Sequence, residues 1–441
     1  MDKNTLIEYT LSLKEFIMKK VCLESISIIM VLLSLSCSKG SSDIINSSNN
    51  NNPDTTQTSS AIKYIDTLGD NVPFIHPGLL HNQVDFDRIK TKVDEGASPW
   101  IDGWNILIAN SHCQSTYTPN PVDTLIRGGS SREQPKPDNY SSAFNDVAAA
   151  YQLAVRWKIT GDNSYADAAI HILNEWATTC KTISGNSNTA LAGGIYGYQF
   201  ANAGEIMRNY SGWNTNDFNK FKDFMINVFY ANNHAFLTTH WGTCNSHYWA
   251  NWDLCALASE IAIGVLTDRR PIYNEAINYF QKGIGSGNIY NAINPVYGDS
   301  LAQWQESGRD QGHCTLDVAL MGSICQMAWN QGDDLFGLDN NRFLKACEYV
   351  AKYNVAQLEV PYTPYTNCEG VSNPVISSDS RGTVRPMWEL VYNHYVKLKG
   401  LKASWTQLAA KSVRPEGGGG NYGPNSGGYD QLGFGTLMYS R

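Results

Sequence analysis

From Ala143 onward, apolar residues return at every third or fourth position in run after run, and that period admits one kind of backbone. Over residues 143–160, Val147, Tyr151, Ala154 and Val155 share one helical face, and Gly161-Asp162 stops the run. Ser164 is placed to cap a second helix, whose stripe passes through Ala168, Ile172, Leu173 and Trp176, so the two form a hairpin. The same period predicts helices over 218–230, 249–266, 272–283, 315–329 and 341–357, with short Gly, Asn or Asp connections and no strand-rich stretch competing. The class is all-α. Helix pairs stacked in sequence build a superhelical solenoid or, where the row closes, an α/α toroid, and periodicity alone fits both. Segments 192–200, 291–309 and 417–435 exceed ordinary connector length, and loops of that size are usually functional or disordered; the glycine run 417–420 fits a mobile lid or a loose tail, and its Asn and Tyr content favours a cleft-edge loop.

The N-terminal stretch sets the address. Met18-Lys19-Lys20 is a basic start, residues 28–35 are an apolar core, and Ser36 before Cys37 is a small-residue cleavage site. The apolar run is shorter than the roughly 20 residues needed to span a bilayer, so it reads as an export signal with lipid attachment at Cys37. Residues 38–60 are almost wholly Ser, Asn, Asp, Thr and Gly and cannot offset the entropy of ordering. The expected organisation is a lipoprotein signal region at 1–37, a tether at 38–60 and one large domain at 61–441, exported to the periplasm or held at the outer membrane by the lipid alone.

A net charge of −8 argues against a nucleic-acid partner. An anionic ligand must then be met by local cations, and Arg127 with Arg132, Arg309, and Arg381 with Arg385 are available. Eight of the ten cysteines lie beyond Cys37 at irregular spacing without a CxxC pair, which signals neither a zinc site nor a dense disulfide framework. Cys255, Cys325 and Cys347 fall in helical stretches and read as buried thiols.

Three segments carry the chemistry. They are Cys244-Asn-Ser-His-Tyr-Trp-Ala-Asn-Trp-Asp253, Gln305-Glu-Ser-Gly-Arg-Asp-Gln-Gly-His313 and Ala328-Trp-Asn-Gln-Gly332. With the hairpin around Trp157-Lys-Ile-Thr-Gly-Asp162 and the stretch Arg385-Pro-Met-Trp-Glu389, they resemble the alginate lyase superfamily of polysaccharide lyases over most of residues 80–435. Within it the chain is most similar to the mannuronate-active Bacteroides lyases of polysaccharide lyase family thirty-eight. The resemblance implies an α/α toroid that cleaves a β-1,4-linked uronan, mannuronate-rich alginate above all, by β-elimination. It implies an anionic polysaccharide partner and no cofactor or metal.

Elimination at a uronate removes a weakly acidic proton from C5, so the neighbouring carboxylate must be neutralised by fixed donors, each worth about 3–4 kcal/mol in measured cases. A base takes the proton and an acid protonates the departing O4, roles open to His and Tyr. His247 and Asn251, four apart, share a face if helical, with Asn245 just before the helix. Well-described family members carry Asn directly before the catalytic His. Ser246 stands there in this chain, which passes the amide role to Asn245 or Asn251. Ser307 and Asp310 have capping-box spacing, which sets Arg309 and His313 one above the other in a first helical turn, a place that attracts anions. Arg309 matches the arginine of the family's Glu-x-x-Arg pattern, Glu306 being an orienting partner. Some relatives place the catalytic tyrosine seven residues after that arginine, where this chain has Leu316. Tyr297 is therefore assigned the role, with Tyr196, Tyr198 and Tyr248 as alternatives. A tyrosine base, whose ordinary pKa is about 10, needs cations nearby. Arg127, Tyr196, Gln199, Trp249, Asn251, Gln303, His313 and Arg381 complete the set as substrate-binding residues.

Other readings stay open at this stage. Glucuronan can replace alginate as the polymer. A lipid-anchored, aromatic-rich helical chain also describes the SusD-like glycan-binding lipoproteins. An α/α-toroid glycoside hydrolase would use paired carboxylates such as Asp253, Glu306 or Asp310.

Overall fold

The computed structural model describes residues 64–420 and 428–441. The chain divides into one unit of residues 1–60 and another of 61–441. The signal region, the tether and Cys37 lie outside the described residues.

In the larger unit the helices are α1 (Gln83–Asp94), α2 (Trp100–Ala109), α3 (Ser141–Thr160), α4 (Asn163–Thr179), α5 (Thr189–Met207), α6 (Thr215–Phe224), α7 (Ala231–Thr239), α8 (Ala250–Leu266), α9 (Arg270–Lys282), α10 (Ile289–Ala292), α11 (Gln311–Asn330), α12 (Leu338–Asn354), α13 (Trp388–Tyr392), α14 (Ser404–Val413) and α15 (Gly435–Tyr439). One row runs α3 against α5, α5 against α8, α8 against α11 and α11 against α13. A second row, α4, α9, α12 and α14, packs on α3, α8, α11 and α13 in turn. From α13 the neighbours continue through α15 to α1, which lies back against α3. Helices α5, α8 and α11 are buried on nearly every side, as helices apolar all round must be.

The expected hairpin of α3 and α4 is present, with Gly161 in the left-handed conformation (φ 73°) closing α3. Its second helix is capped two residues earlier than expected: the Asp162 carboxylate, not Ser164, accepts the free backbone N–H, and Ser164 is the residue that donates it. The expected helix over 218–230 starts at Thr215, capped by Asn214, and continues through a π-helical turn, Met225–Tyr230, into α7.

The segment 192–200 is not a loop; it lies inside α5. Its glycines serve close packing. A Cβ on Gly194 would sit 2.3 Å from Cys255 Sγ and 2.7 Å from the Ala256 nitrogen of α8, so only glycine lets the two helices approach. That contact outweighs the helix-propensity cost of about 1 kcal/mol per glycine.

Short strands do occur, all in connections. β1 (Thr124–Ile126) pairs in parallel with β2 (Thr182–Ser184). β3 (Ile293–Tyr297) and β4 (Leu301–Trp304) form an irregular antiparallel hairpin within the expected long loop 291–309, and β5 (Tyr365–Thr366) pairs antiparallel with β6 (Ser372–Asn373).

Candidate active site

The site begins where β4 runs into the 3-10 turn Gln305–Gly308 and so into α11. The first N–H groups of α8 have no side-chain cap from their own segment. Gln305 and Glu306 supply it from across the fold: Ala250 N–H donates to Gln305 Oε1 at 2.8 Å, and Asn251 N–H donates to Glu306 Oε1 at 3.2 Å. A carboxylate at a helix N-terminus is favoured by the dipole as well as by the hydrogen bond.

The other oxygen of Glu306 lies 2.8 Å from Arg309 Nη1. Burial lifts the Glu306 carboxyl above its usual range, against the pull of the Arg309 charge. Arg309 spreads over the Trp249 ring, 5.3 Å from its centroid, and its Nη2 lies 3.4 Å from His313 Nε2. Asp310, rather than Ser307, caps α11: it accepts the His313 N–H at 2.8 Å and lies 2.5 Å from His313 Nδ1. Burial works against the Asp310 anion, but the His313 hydrogen bonds and the Arg309 charge outweigh it and hold the carboxyl low. Arg309 therefore precedes the helix instead of lying in its first turn, yet it reaches His313 as expected. Two turns into α11, Asp317 is fully buried with neither oxygen hydrogen-bonded to any described residue, and burial and Glu306 push its carboxyl well up.

Residues 244–249 lead into α8, and Trp249 brings the end of this segment against Arg309. Helix α8 begins at Ala250, so His247 stands before it and does not share a face with Asn251. The reason is the long-range cap, which fixes the helix start from Gln305 and Glu306. Asn251 is buried, whereas Asn245 is exposed and lines a polar cleft with Ser286, Asn291, Gln305 and Tyr365. His247 Nδ1 is shut off from solvent and lies 2.8 Å from Glu369 Oε1, an ion-pair distance off the line of a hydrogen bond. Cys244 is disulfide-bonded to Cys368, and the Cys368 N–H donates to Ser246 Oγ at 2.8 Å.

Tyr297, at the end of β3, donates to Gln303 Oε1 at 2.7 Å and shares a 2.8 Å hydrogen bond with Thr363 Oγ1. Gln303 is buried, and its amide is occupied on both sides by the Thr363 backbone. A third group lies on α5. Arg127 Nη1 donates to Tyr196 OH at 3.2 Å and the guanidinium lies over Tyr140 and Tyr196, while Gln199 donates to the Tyr429 carbonyl at 2.9 Å. Burial pushes the Tyr196, Tyr198 and Tyr248 phenols up, opposite to what a tyrosine base needs. The structure does not bring Arg381 to any of these groups. Its guanidinium binds the Tyr353 and Leu358 carbonyls and Glu359, over the Tyr353 ring.

Asp253 accepts from Tyr279 OH at 2.9 Å and Gly287 N–H at 3.0 Å and lies 3.1 Å from His240 Nε2, fully buried, so it anchors the loop that carries Ser286 and faces no substrate. That placement weighs against a hydrolytic carboxylate pair built on Asp253. Among the described residues, no three His, Cys, Asp or Glu side chains gather as metal ligands would. Sequence reasoning missed Gln305, Thr363, Tyr365, Glu369 and the disulfide. One signal was there for the last: Cys244 and Cys368 sit in polar, non-helical stretches, whereas the six other described cysteines are buried free thiols.

A family model described as alginate lyase matches residues 110–359. The chain belongs to the alginate lyase family. Its fold is that of solved alginate lyases. Alginate lyase A1-III from Sphingomonas species A1 is 14% identical and aligns over 81% of this chain and 95% of its own, with a TM-score of 0.55. An alginate lyase from Bacteroides ovatus is 14% identical over 83% of this chain and 100% of its own, with a TM-score of 0.51. A histidine-to-alanine variant of A1-III, complexed with a tetrasaccharide, is 14% identical over 82% and 97%, with a TM-score of 0.56. No curated protein matches.

Proposed function

We propose that this chain is a polysaccharide lyase that cleaves a β-1,4-linked uronan, mannuronate-rich alginate first among them, by β-elimination, and that it belongs with polysaccharide lyase family thirty-eight. The observation that carries the reading is Arg309: a half-buried cation held by Glu306 and laid over Trp249, beside His313. A fixed guanidinium of this kind neutralises a uronate carboxylate, and the exposed Asn245 amide suits a second donor to it. The neighbouring sugar ring then has Trp249 as its apolar face.

In the reaction the C5 proton leaves, a C4–C5 double bond forms, the C4–O4 bond breaks and O4 takes up a proton. Tyr297 is the proposed acid and base. Its hydroxyl is held in place by Gln303 Oε1, to which it donates, and by Thr363 Oγ1. At mannuronate, where the proton and the leaving oxygen lie on one side of the ring, one tyrosine serves both steps, and His247 orients or neutralises. Arg127 and Tyr196 are assigned to a more distant part of the polymer.

The arrangement supports an α/α toroid, because the row of helices that starts at α3 returns through α15 and α1 to α3. Export fits the disulfide, which persists in oxidising compartments. Lipid attachment at Cys37 is tested by metabolic lipid labelling, expected to vanish in Cys37→Ser. The catalytic reading is tested by Arg309→Lys, which keeps the charge and loses the fork that grips Glu306 and a carboxylate together. Activity on mannuronate blocks should fall about a hundredfold, the cost of one fixed donor; unchanged activity refutes the role.

A further inference from the structure

The family match stops at residue 359, and the chain that follows straps the site together. Tyr349 OH donates to the Pro361 carbonyl at 2.9 Å. Thr363 holds Tyr297 and Gln303, and Tyr365 OH accepts from Gln305 at 2.6 Å while its ring lies 5.9 Å from that of Trp249. Cys368 is bonded to Cys244 and Glu369 faces His247. Farther on, the Ser377 N–H donates to the Ser307 carbonyl at 3.0 Å and the Gln311 N–H to the Asp379 carbonyl at 2.8 Å. Thr363 and Glu369 are six residues apart, so one short segment contacts both the Tyr297 group and His247.

We propose that Glu369 is a positioning residue of the elimination: presented by the disulfide-tethered hairpin, its carboxylate fixes the His247 ring through Nδ1 and leaves Nε2 for the substrate. The inference rests on the lyase reading. An exposed ion pair is ordinarily worth little, because two long side chains must be ordered to make it. Here that ordering is largely done by other bonds. The disulfide and the Ser246–Cys368 hydrogen bond fix the neighbours of both partners. Nδ1 is shut off from water, with Glu369 the carboxylate beside it, and Nε2 bonds no described residue. The 2.8 Å contact lies off the hydrogen-bond line, so the pairing acts by charge: a carboxylate this close to Nδ1 favours a proton on that nitrogen, and so the Nδ1–H tautomer.

The test compares the wild-type enzyme with Glu369→Gln, Glu369→Asp and the double variant Cys244→Ser/Cys368→Ser, reading kcat and KM on mannuronate blocks by the ultraviolet absorbance of the unsaturated product. Glu369→Gln should lose about tenfold in kcat, the low end for removing a partner that orients a histidine, with KM within about twofold. Glu369→Asp should recover most of that loss. Adding Glu369→Gln to the cysteine double variant should cost less than it costs alone, because the two act through one contact. Unchanged kcat in Glu369→Gln, no recovery in Glu369→Asp or full additivity overturns the proposal. Imidazole nitrogen spectra give a readout free of turnover: His247 should be the Nδ1–H tautomer in the wild type and a mixture in Glu369→Gln. A wild type inert on every uronan but with that tautomer change refutes the lyase reading and leaves the pairing standing, whereas an Nε2–H ring in the wild type overturns the pairing.

Discussion

Replacing both Cys244 and Cys368 by serine removes the cross-link, and the structure sets the size of the effect. The two half-cystines are 124 residues apart, and closing a loop of that length in the unfolded chain is worth about 5 kcal/mol in the chain-entropy model. Compactness of the real unfolded ensemble brings the expected loss to about 2–4 kcal/mol. Both residues are exposed, so no buried cavity adds to it. For a unit of roughly 380 residues, 61–441, the unfolding entropy is about 0.8 kcal/mol/K, which converts the loss to a drop in midpoint of about 3–5 °C. Thermal unfolding followed by circular dichroism at a fixed scan rate, with and without reductant, measures it. Reductant should lower the wild-type midpoint to that of the double variant and leave the double variant unmoved. An unchanged midpoint in the variant, or a reductant effect that persists in it, refutes the reasoning.

Gly194→Ala should destabilise by about 1–3 kcal/mol through overpacking against Cys255 and Ala256, read as a lowered denaturation midpoint; a neutral result would mean that α5 and α8 can part without cost. Glu306→Ala strands the Asn251 N–H and the Arg309 cation and should cost about 3–5 kcal/mol, whereas Glu306→Gln keeps the helix cap and should cost less; equal midpoints for the two variants count against the cap. Glu260 and Asp317 have no hydrogen-bond partner among the described residues, and burial raises both carboxyls well above their ordinary values of 4.5 and 3.8. For a raised carboxyl the unfolded chain gives up its proton first, so stability falls as pH climbs from the ordinary value through the folded one. Glu260→Gln should therefore raise the unfolding midpoint more at pH about 8 than at pH about 5. A larger gain at the acid end contradicts that sign.

Much of the helical frame was legible because its apolar period is long and unbroken, as over 143–160, where the helix found is Ser141–Thr160. Segment 192–200 misled for a physical reason: glycine is a loop signal locally, and its use as a spacer between α5 and α8 depends on a helix some sixty residues away. The start of α8 was equally hidden. Its cap comes from Gln305 and Glu306, 55 residues downstream, so a local pattern could not show that His247 falls outside the helix. At the site, the Arg309–His313 contact followed from a separation of four residues and is present. The strap of residues 361–379 was not legible. It has no apolar period, and its placement is written in single contacts, among them Cys368 to Cys244 and Thr363 to Tyr297.

The most direct test of the central claim is the ultraviolet absorbance of the C4–C5 double bond during incubation of the purified 61–441 domain with mannuronate blocks, guluronate blocks and glucuronan, run separately. The account predicts a rise that is largest on mannuronate blocks and is lost in Tyr297→Phe and His247→Ala. New reducing ends without any rise in absorbance, on any of the three polymers, would contradict it.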